Sequence, residues 1–334
     1  MIAKFMLPVS LMAAIIIASL LITMDAAFAA EAEQEKGIGG SILPESLDLN
    51  DSQPFKASTE RILDATHSRL TKSVNEFAGR IDTFLANDRS LEEDVGNRLR
   101  LRLITRVDED REMTFKQRVS LHMELPKFTK RLMLVMEEFG EGDKLEDIKK
   151  KENIEDLDAV FRLLLHEKEN ERLALETGMS FKPEPNPLVR LRYRLNISFG
   201  QWNFRPTQWV YWKRDEGFGE KTRVDLERHM FTDDLLRFSE EVVYSEESSG
   251  VEFLTAAGYM HVLSEISACG LFFNIESHTR PYWEVTNYSL NFTYRRSIYK
   301  KWLFFQIEPI LEAPLDEGYR IVPSIYFMIE AVFS

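Results

Sequence analysis

Two hydrophobic periods divide the chain. Between residues 58 and 86, Leu63, Leu70, Val74, Phe77, Ile81 and Phe84 recur at spacings of seven, four, three, four and three. That pattern predicts an amphipathic helix over 57–88, capped by Ser58-Thr59-Glu60. Such a helix must bury its one apolar stripe, either on its own barrel, under the rim or inside the lumen as a plug, or, as a coiled-coil handle, against another copy or a periplasmic partner.

After Asn87 the period drops to two and keeps that value to the C-terminus. Leu99, Leu101 and Leu103 alternate with Arg98, Arg100 and Arg102; Phe115 to Met123 interleave with Lys116, Arg118, His122 and Glu124; and Leu132 and Leu134 follow Arg131. Phe161, Leu163 and Leu165 alternate with Arg162 and His166, Leu173 to Phe181 form the next stripe, and Val189 to Ile197 interleave with Arg190, Arg192 and Arg194. Weaker stripes cover 201–212, 221–229, 235–244, 251–262 and 266–275, before clear ones at 288–294, 303–311 and 321–333. This predicts about 14 strands, with 12 the alternative, each near the roughly 9 to 11 residues that a tilted strand needs to cross a bilayer. An even count returns both ends to one side. Short turns are expected at 126–129, 199–200 and 232–234, and the charged stretch 137–158 reads as a solvated loop, with a lid or a cation-bridged lipopolysaccharide contact as the other readings.

Alternation alone does not say which face is dry, since a soluble sandwich shows the same period. Two asymmetries favour lipid on the apolar side. Rows of Arg at alternate positions suit a polar lumen with acids opposite, for which Glu124, Glu137, Asp225, Glu227, Glu241, Glu308 and Glu330 are available. Trp202, Trp209, Tyr211, Trp212, Tyr282, Trp283, Tyr299 and Trp302 fall near segment ends, as interfacial girdles do. Open sheet edges are not tolerated in lipid, so the strands are expected to close into a transmembrane antiparallel β-barrel over 95–334.

The N-terminus agrees with export. Lys4 precedes an apolar run that ends at Ala27-Phe28-Ala29, a small-x-small pattern, so 1–29 reads as a signal peptide, with an uncleaved anchor the alternative. Residues 30–56, rich in Glu, Gly, Ser, Asp and Pro, read as a flexible leader. The formal charge of -13 argues against nucleic acid as a partner, and the single Cys269 has no partner for an internal disulfide. No further apolar run of about 20 residues follows the signal, which excludes a bundle of membrane helices.

The stretches 97–107 (NRLRLRLITRV), Leu125-Pro126-Lys127-Phe128 leading to Arg131-Leu132, 187–195 (PLVRLRYRL) and 301–309 (KWLFFQIEP) resemble a family of uncharacterised outer-membrane β-barrel proteins of Gram-negative bacteria. The resemblance covers the helix and the barrel and implies location and fold, with no activity attached. One departure is Ser334, which follows Phe333 where such barrels end on the aromatic; it bears on recognition of the last strand by the barrel-insertion machinery.

Little enzymatic chemistry is legible. His67, His122, His166, His229, His261 and His278 include no pair at a metal-ligand spacing, and no Gly-rich phosphate loop follows a strand. No cofactor is expected. A lipid-modifying enzyme is the remote alternative, with His278 beside Ser277 and Arg280 as its least weak candidate. By parity the lumen receives Arg98, Arg100, Arg102, Arg118, Arg131, Arg162, Arg190, Arg192, Arg194, Arg205, Arg223, Arg237 and Arg295, with Glu124, Glu241, Glu308 and Glu330. These could form a structural network of guanidiniums and carboxylates, or an Arg-lined constriction favouring anions. The expected function is a narrow pore or plugged channel for small anionic solutes, with outer-membrane lipid and lipopolysaccharide as surroundings and both termini periplasmic. The alternative is a non-conducting anchor whose N-terminal helix binds a periplasmic partner.

Overall fold

The computed structural model describes residues 97–110, 112–124, 132–138, 157–168, 170–182, 184–230, 233–248, 250–300 and 302–333. The chain divides into two compact units, Met1–Thr66 and His67–Ser334, and every described residue belongs to the second. The signal peptide 1–29, the leader 30–56, the helix 57–88, Arg131 and most of the loop 137–158 lie outside the described residues.

Apart from one 3-10 turn at Leu315–Glu317, the regular elements described are strands. They are β1 (Arg98–Asp108), β2 (Met113–Glu124), β3 (Leu132–Glu138), β4 (Leu157–Glu167), β5 (Glu171–Lys182), β6 (Glu184–Leu195), β7 (Ile197–Phe199) and β8 (Trp202–Lys213). They continue as β9 (Gly217–His229), β10 (Asp234–Ser245), β11 (Val251–Ser264), β12 (Ser267–His278), β13 (Glu284–Tyr299), β14 (Leu303–Pro314) and β15 (Val322–Phe333). Both β6 and β7 pair with β8, and between them Asn196 turns its N–H to the carbonyl of Asn170 at 2.7 Å. The two are thus one strand interrupted by a single residue, and the sheet has fourteen strands.

Each strand pairs antiparallel with its sequence neighbours, and the ring closes where β1 meets β15, with Leu99 opposite Phe333 and Arg102 opposite Glu330. Closure removes the unpaired N–H and C=O groups of an open edge. Every segment from the alternation pattern has its strand, from 98–103 to 321–333, within a few residues at the ends.

Alternate connections fall on the same rim. The rim at the start of β1 and the end of β15 carries the turns 168–170, 200–201, 230–233, 265–266 and 300–302, and the opposite rim carries 109–112, 214–216, 246–250, 279–283 and 315–321. Gly200 holds φ of 56° in a two-residue turn that a side chain would strain. Register shifts at Leu164/His166, Val262/Ser264 and Ser297/Tyr299 lie at the first rim, as does the break at Asn196, and a fourth at Glu276/Ser277 lies at the opposite rim. Bulges at a barrel rim bend strands and end their pairing.

In β1, Arg100, Arg102, Ile104 and Arg106 are buried, whereas Leu101 and Leu103 are exposed. The same inversion runs through β6, with Arg190, Arg192 and Arg194 buried and Val189, Leu191 and Tyr193 exposed. The sheet therefore turns its charge inward and its grease outward.

Candidate functional site: the inner wall

Side chains of a strand alternate between faces, so each row of inward positions contributes one stave of the lumen wall. Across the staves, carboxylates are shared between guanidiniums. Glu330 of β15 meets Arg102 at 3.0 Å, Arg100 at 3.9 Å and Arg295 of β13, and is 0% exposed. Glu176 of β5 accepts from Arg162 of β4 at 2.6 Å and from Arg190 of β6. Glu227 of β9 accepts from Arg205 of β8 at 2.9 Å and Arg237 of β10 at 2.7 Å. Glu176 lies directly opposite Arg162 and Arg190 on its two neighbouring strands, Glu227 is opposite Arg237 and diagonal to Arg205, and Glu330 is opposite Arg102 while Arg295 reaches it across β14. Arg102, for instance, is opposite Arg118 on one side and Glu330 on the other. A pair of like charges facing each other is tolerable because the third strand brings the counter-charge.

The remaining positions expected in the lumen distribute as follows. Arg192 and Arg194 are buried on β6 next to Arg190; Arg98, Arg118 and Glu124 are half-buried near the first rim. Arg223, half-buried, reaches Asp225 at 3.2 Å and Glu241 at 3.6 Å, and Glu241 also takes Lys221 at 2.8 Å. Glu308 accepts from Gln306 at 2.9 Å and Asn291 at 3.4 Å, and the Arg295 guanidinium lies 4.4 Å from the Phe304 ring centroid. Glu124 gives its backbone N–H to the Asn97 side chain.

Sequence reasoning missed Glu176, Arg106 and Glu312. Arg106 donates to Glu312 at 2.9 Å and also bonds Asp108 and the Tyr326 hydroxyl. Parity could have found all three: Glu176 lies on the polar side of the Leu173 to Phe181 stripe, and Arg106 continues the row of Arg98, Arg100 and Arg102 past Ile104.

The wall also departs from the uniformly polar lining that the alternation suggests. Three apolar patches interrupt it: Ile104, Ile310, Tyr326 and Met328; Met133, Val135, Val160, Leu188 and Tyr211; and Leu235, Met260 and Ala268 with Val262 and Phe272. In the last, Gly258 and Gly270 give up their side-chain space to the Phe272 ring, which a Cβ at either would approach to 2.6 or 2.7 Å.

Other chemistry is sparse. Among the described residues no group of three His, Cys, Asp or Glu is placed to hold a metal ion. His261 Nδ1 lies 2.6 Å from Asp234, which also accepts from Tyr259, and His166 lies 2.7 Å from Glu171. His278 ends β12 opposite Glu284, and Cys269 is a half-buried free thiol.

No protein-family model and no curated protein matches the chain. Solved structures do. OmpT, an outer membrane protein of Vibrio cholerae, matches at 9% identity and a TM-score of 0.44, over 71% of this chain and 96% of its own. The outer membrane channel DcaP of Acinetobacter baumannii matches at 7% and 0.42, over 71% and 96%. The KdgM porin matches at 5% and 0.36, over 70% and 99%.

Proposed function

We propose that the chain is an outer-membrane β-barrel of a Gram-negative bacterium, with both termini periplasmic, whose guanidinium-lined lumen passes small anionic solutes. The observation that carries the reading is the inversion of polarity between the two faces. Outward positions such as Leu103, Phe161, Phe273, Leu290 and Phe292 are exposed and apolar, whereas the inward face holds Glu176, Glu227 and Glu330 each among two or more Arg. Water would leave the outer belt unpaid for; acyl chains cover it. Aromatic pairs at the two ends fit the two headgroup levels: Tyr299, Trp302 and Phe333 in contact at 5.6 and 5.7 Å on one rim, Tyr288 and Tyr319 at 5.8 Å on the other. The run to Phe333 suits recognition of the last strand by the barrel-insertion machinery.

Anion preference follows from the excess of Arg over acid in the rows of β1 and β6, where a positive wall lowers the barrier for anions and raises it for cations. The test is a planar-bilayer recording under a salt gradient. The expected reversal potential lies toward that of the anion, and a cation-selective current, or no current from a folded barrel lacking residues 30–88, overturns the pore. A second reading, a non-conducting anchor, gains support from the near-complete burial of inward Arg100, Arg190 and Arg295. It predicts no current in either form.

A further inference from the structure

We propose that two copies of this chain pair through the outer wall of β8, β9, β10 and β11, about a two-fold axis along the membrane normal. This rests on the barrel reading above and adds to it a partner within the membrane. Thr207, Asp225, Glu241 and Met260 are buried on the inner face, so Gln208, Thr222, Glu240 and Thr255, at the opposite parity of the same strands, point outward. Gln208, Thr222 and Glu240 each stand five residues from the far-rim end of their strand, at Lys213, Gly217 and Ser245, and Thr255 stands four from Val251. All four are therefore at one depth, midway along the wall. On other strands that depth carries the exposed apolar Phe161, Phe273 and Leu290. Acyl chains offer no hydrogen-bond partner there, and a carboxyl group among them is costly.

The four polar groups form two cross-strand pairs that leave one acceptor and one donor over. Thr255 lies opposite Glu240 and gives its hydroxyl to one carboxylate oxygen at 2.7 Å; among the described residues the other oxygen has no hydrogen-bond partner. Thr222 lies opposite Gln208 and donates to its Oε1 at 2.5 Å, while Gln208 Nε2 donates to the Trp209 carbonyl at 3.3 Å and keeps a second N–H. What Glu240 lacks, Gln208 supplies, but they stand two strands apart on one wall. A two-fold axis over β9 sets β8 of one copy against β10 of the other, and rotation about the membrane normal leaves every depth unchanged. Gln208 of each copy then meets Glu240 of the other, so the patch complements itself. The outward side chains between them, Pro206, Val224 and Val242, are small and let the two walls come close. A ring with no free edge associates only through such side chains.

The test measures the protein mass of the full chain in detergent micelles by light scattering over a range of concentrations. The expected mass is that of two chains, and Gln208→Leu with Glu240→Leu is expected to raise the dissociation constant about tenfold or more, since a hydrogen bond is lost on each side of the axis. A single-chain mass for the unaltered protein, or a dimer that the double substitution leaves as tight as before, overturns the proposal. A photoreactive residue at position 210, exposed and outward on β8, decides the matter in membranes even where the double substitution blocks folding, with position 290 on β13 as the control. Cross-links from 210 to a second copy, with none from 290, support the pairing. Cross-links from 210 to another protein or to lipid alone, or equal cross-linking from both positions, overturn it. A dimer that depends on Gln208 and Glu240 yet stays dissolved without detergent leaves the pairing standing and overturns the membrane reading. A detergent-requiring monomer does the reverse.

Discussion

Glu330 shows what a single inward residue has to do. Three guanidiniums converge on it, and none of the four groups reaches solvent to any extent that would screen them. Removing the charge leaves like cations clustered in a low-dielectric space, and breaking a buried pair in this way costs about 3 to 5 kcal/mol. Glu330→Gln is therefore expected to lower the unfolding free energy from urea titration of the folded barrel in micelles by that amount, while Glu124→Gln, half-buried at a rim, should change it little. The parity of Arg98, Arg100 and Arg102 was legible in the sequence because polar and apolar residues strictly alternate there. Glu176 was legible only through the parity of the facing stripe, because its neighbours in its own row, Ala174 and Gly178, are small and break the polar run. The apolar lumen residues escaped for the opposite reason. Tyr326 and Met328 sit on β15 between outward Ile325, Phe327 and Ile329, so both faces of that strand are apolar and the period carries no sign. Gly258 was equally silent, since nothing local tells that Phe272 will lie over it. A Gly258→Val substitution overpacks that spot, and a loss of about 1 to 3 kcal/mol is expected from the same urea titration.

At the scale of the strand, the alternation carried most of the information. Fourteen stripes correspond to fourteen strands because the outward positions of each strand are held mostly apolar, while the inward ones are mostly polar and apolar only in three patches. What could not be read was the local break in period. Asn196 interrupts β6 and β7 without a Gly or Pro to announce it, and the shift at Ser297/Tyr299 is equally unmarked. These irregularities depend on how one strand's register fits the next around a closed ring, which is a property of neighbours and not of the segment. The two faces of β13 contrast sharply. Leu290 faces outward near the middle of the strand, whereas Thr293 is buried on the lumen side. Leu290→Arg places a cation among acyl chains and is expected to cost about 2 to 4 kcal/mol. Leu290→Ser should cost far less, and urea unfolding in lipid vesicles compares the two. Equal losses for Arg and Ser would mean that the outer face does not touch lipid.

For the whole molecule, closure and an even number of strands tie both ends of the ring to one side, so the direction of insertion fixes the face of every turn at once. If Asn97 and Phe333 are periplasmic, the turn 279–283 is on the cell surface and the turn 265–266 is not, because β12 crosses between them. On the far rim Glu109 and Glu317 hold the exposed Arg320 guanidinium above its usual range, and join the turn after β1 to the one before β15 across the closing seam. Exposed pairs of this kind contribute little stability. They do hold together the two turns that flank the closing seam on the rim opposite the barrel's ends. Loop tips with exposed polar residues accept insertions best, so a short epitope is expected to be tolerated in both turns. The epitope in 279–283 should bind antibody on intact cells, and the one in 265–266 only after the outer membrane is permeabilised. The reverse pattern would place the termini outside and leave the barrel intact. Staining of both without permeabilisation would mean that the ring does not span a membrane, and the exposed apolar belt would then need a protein partner in place of lipid.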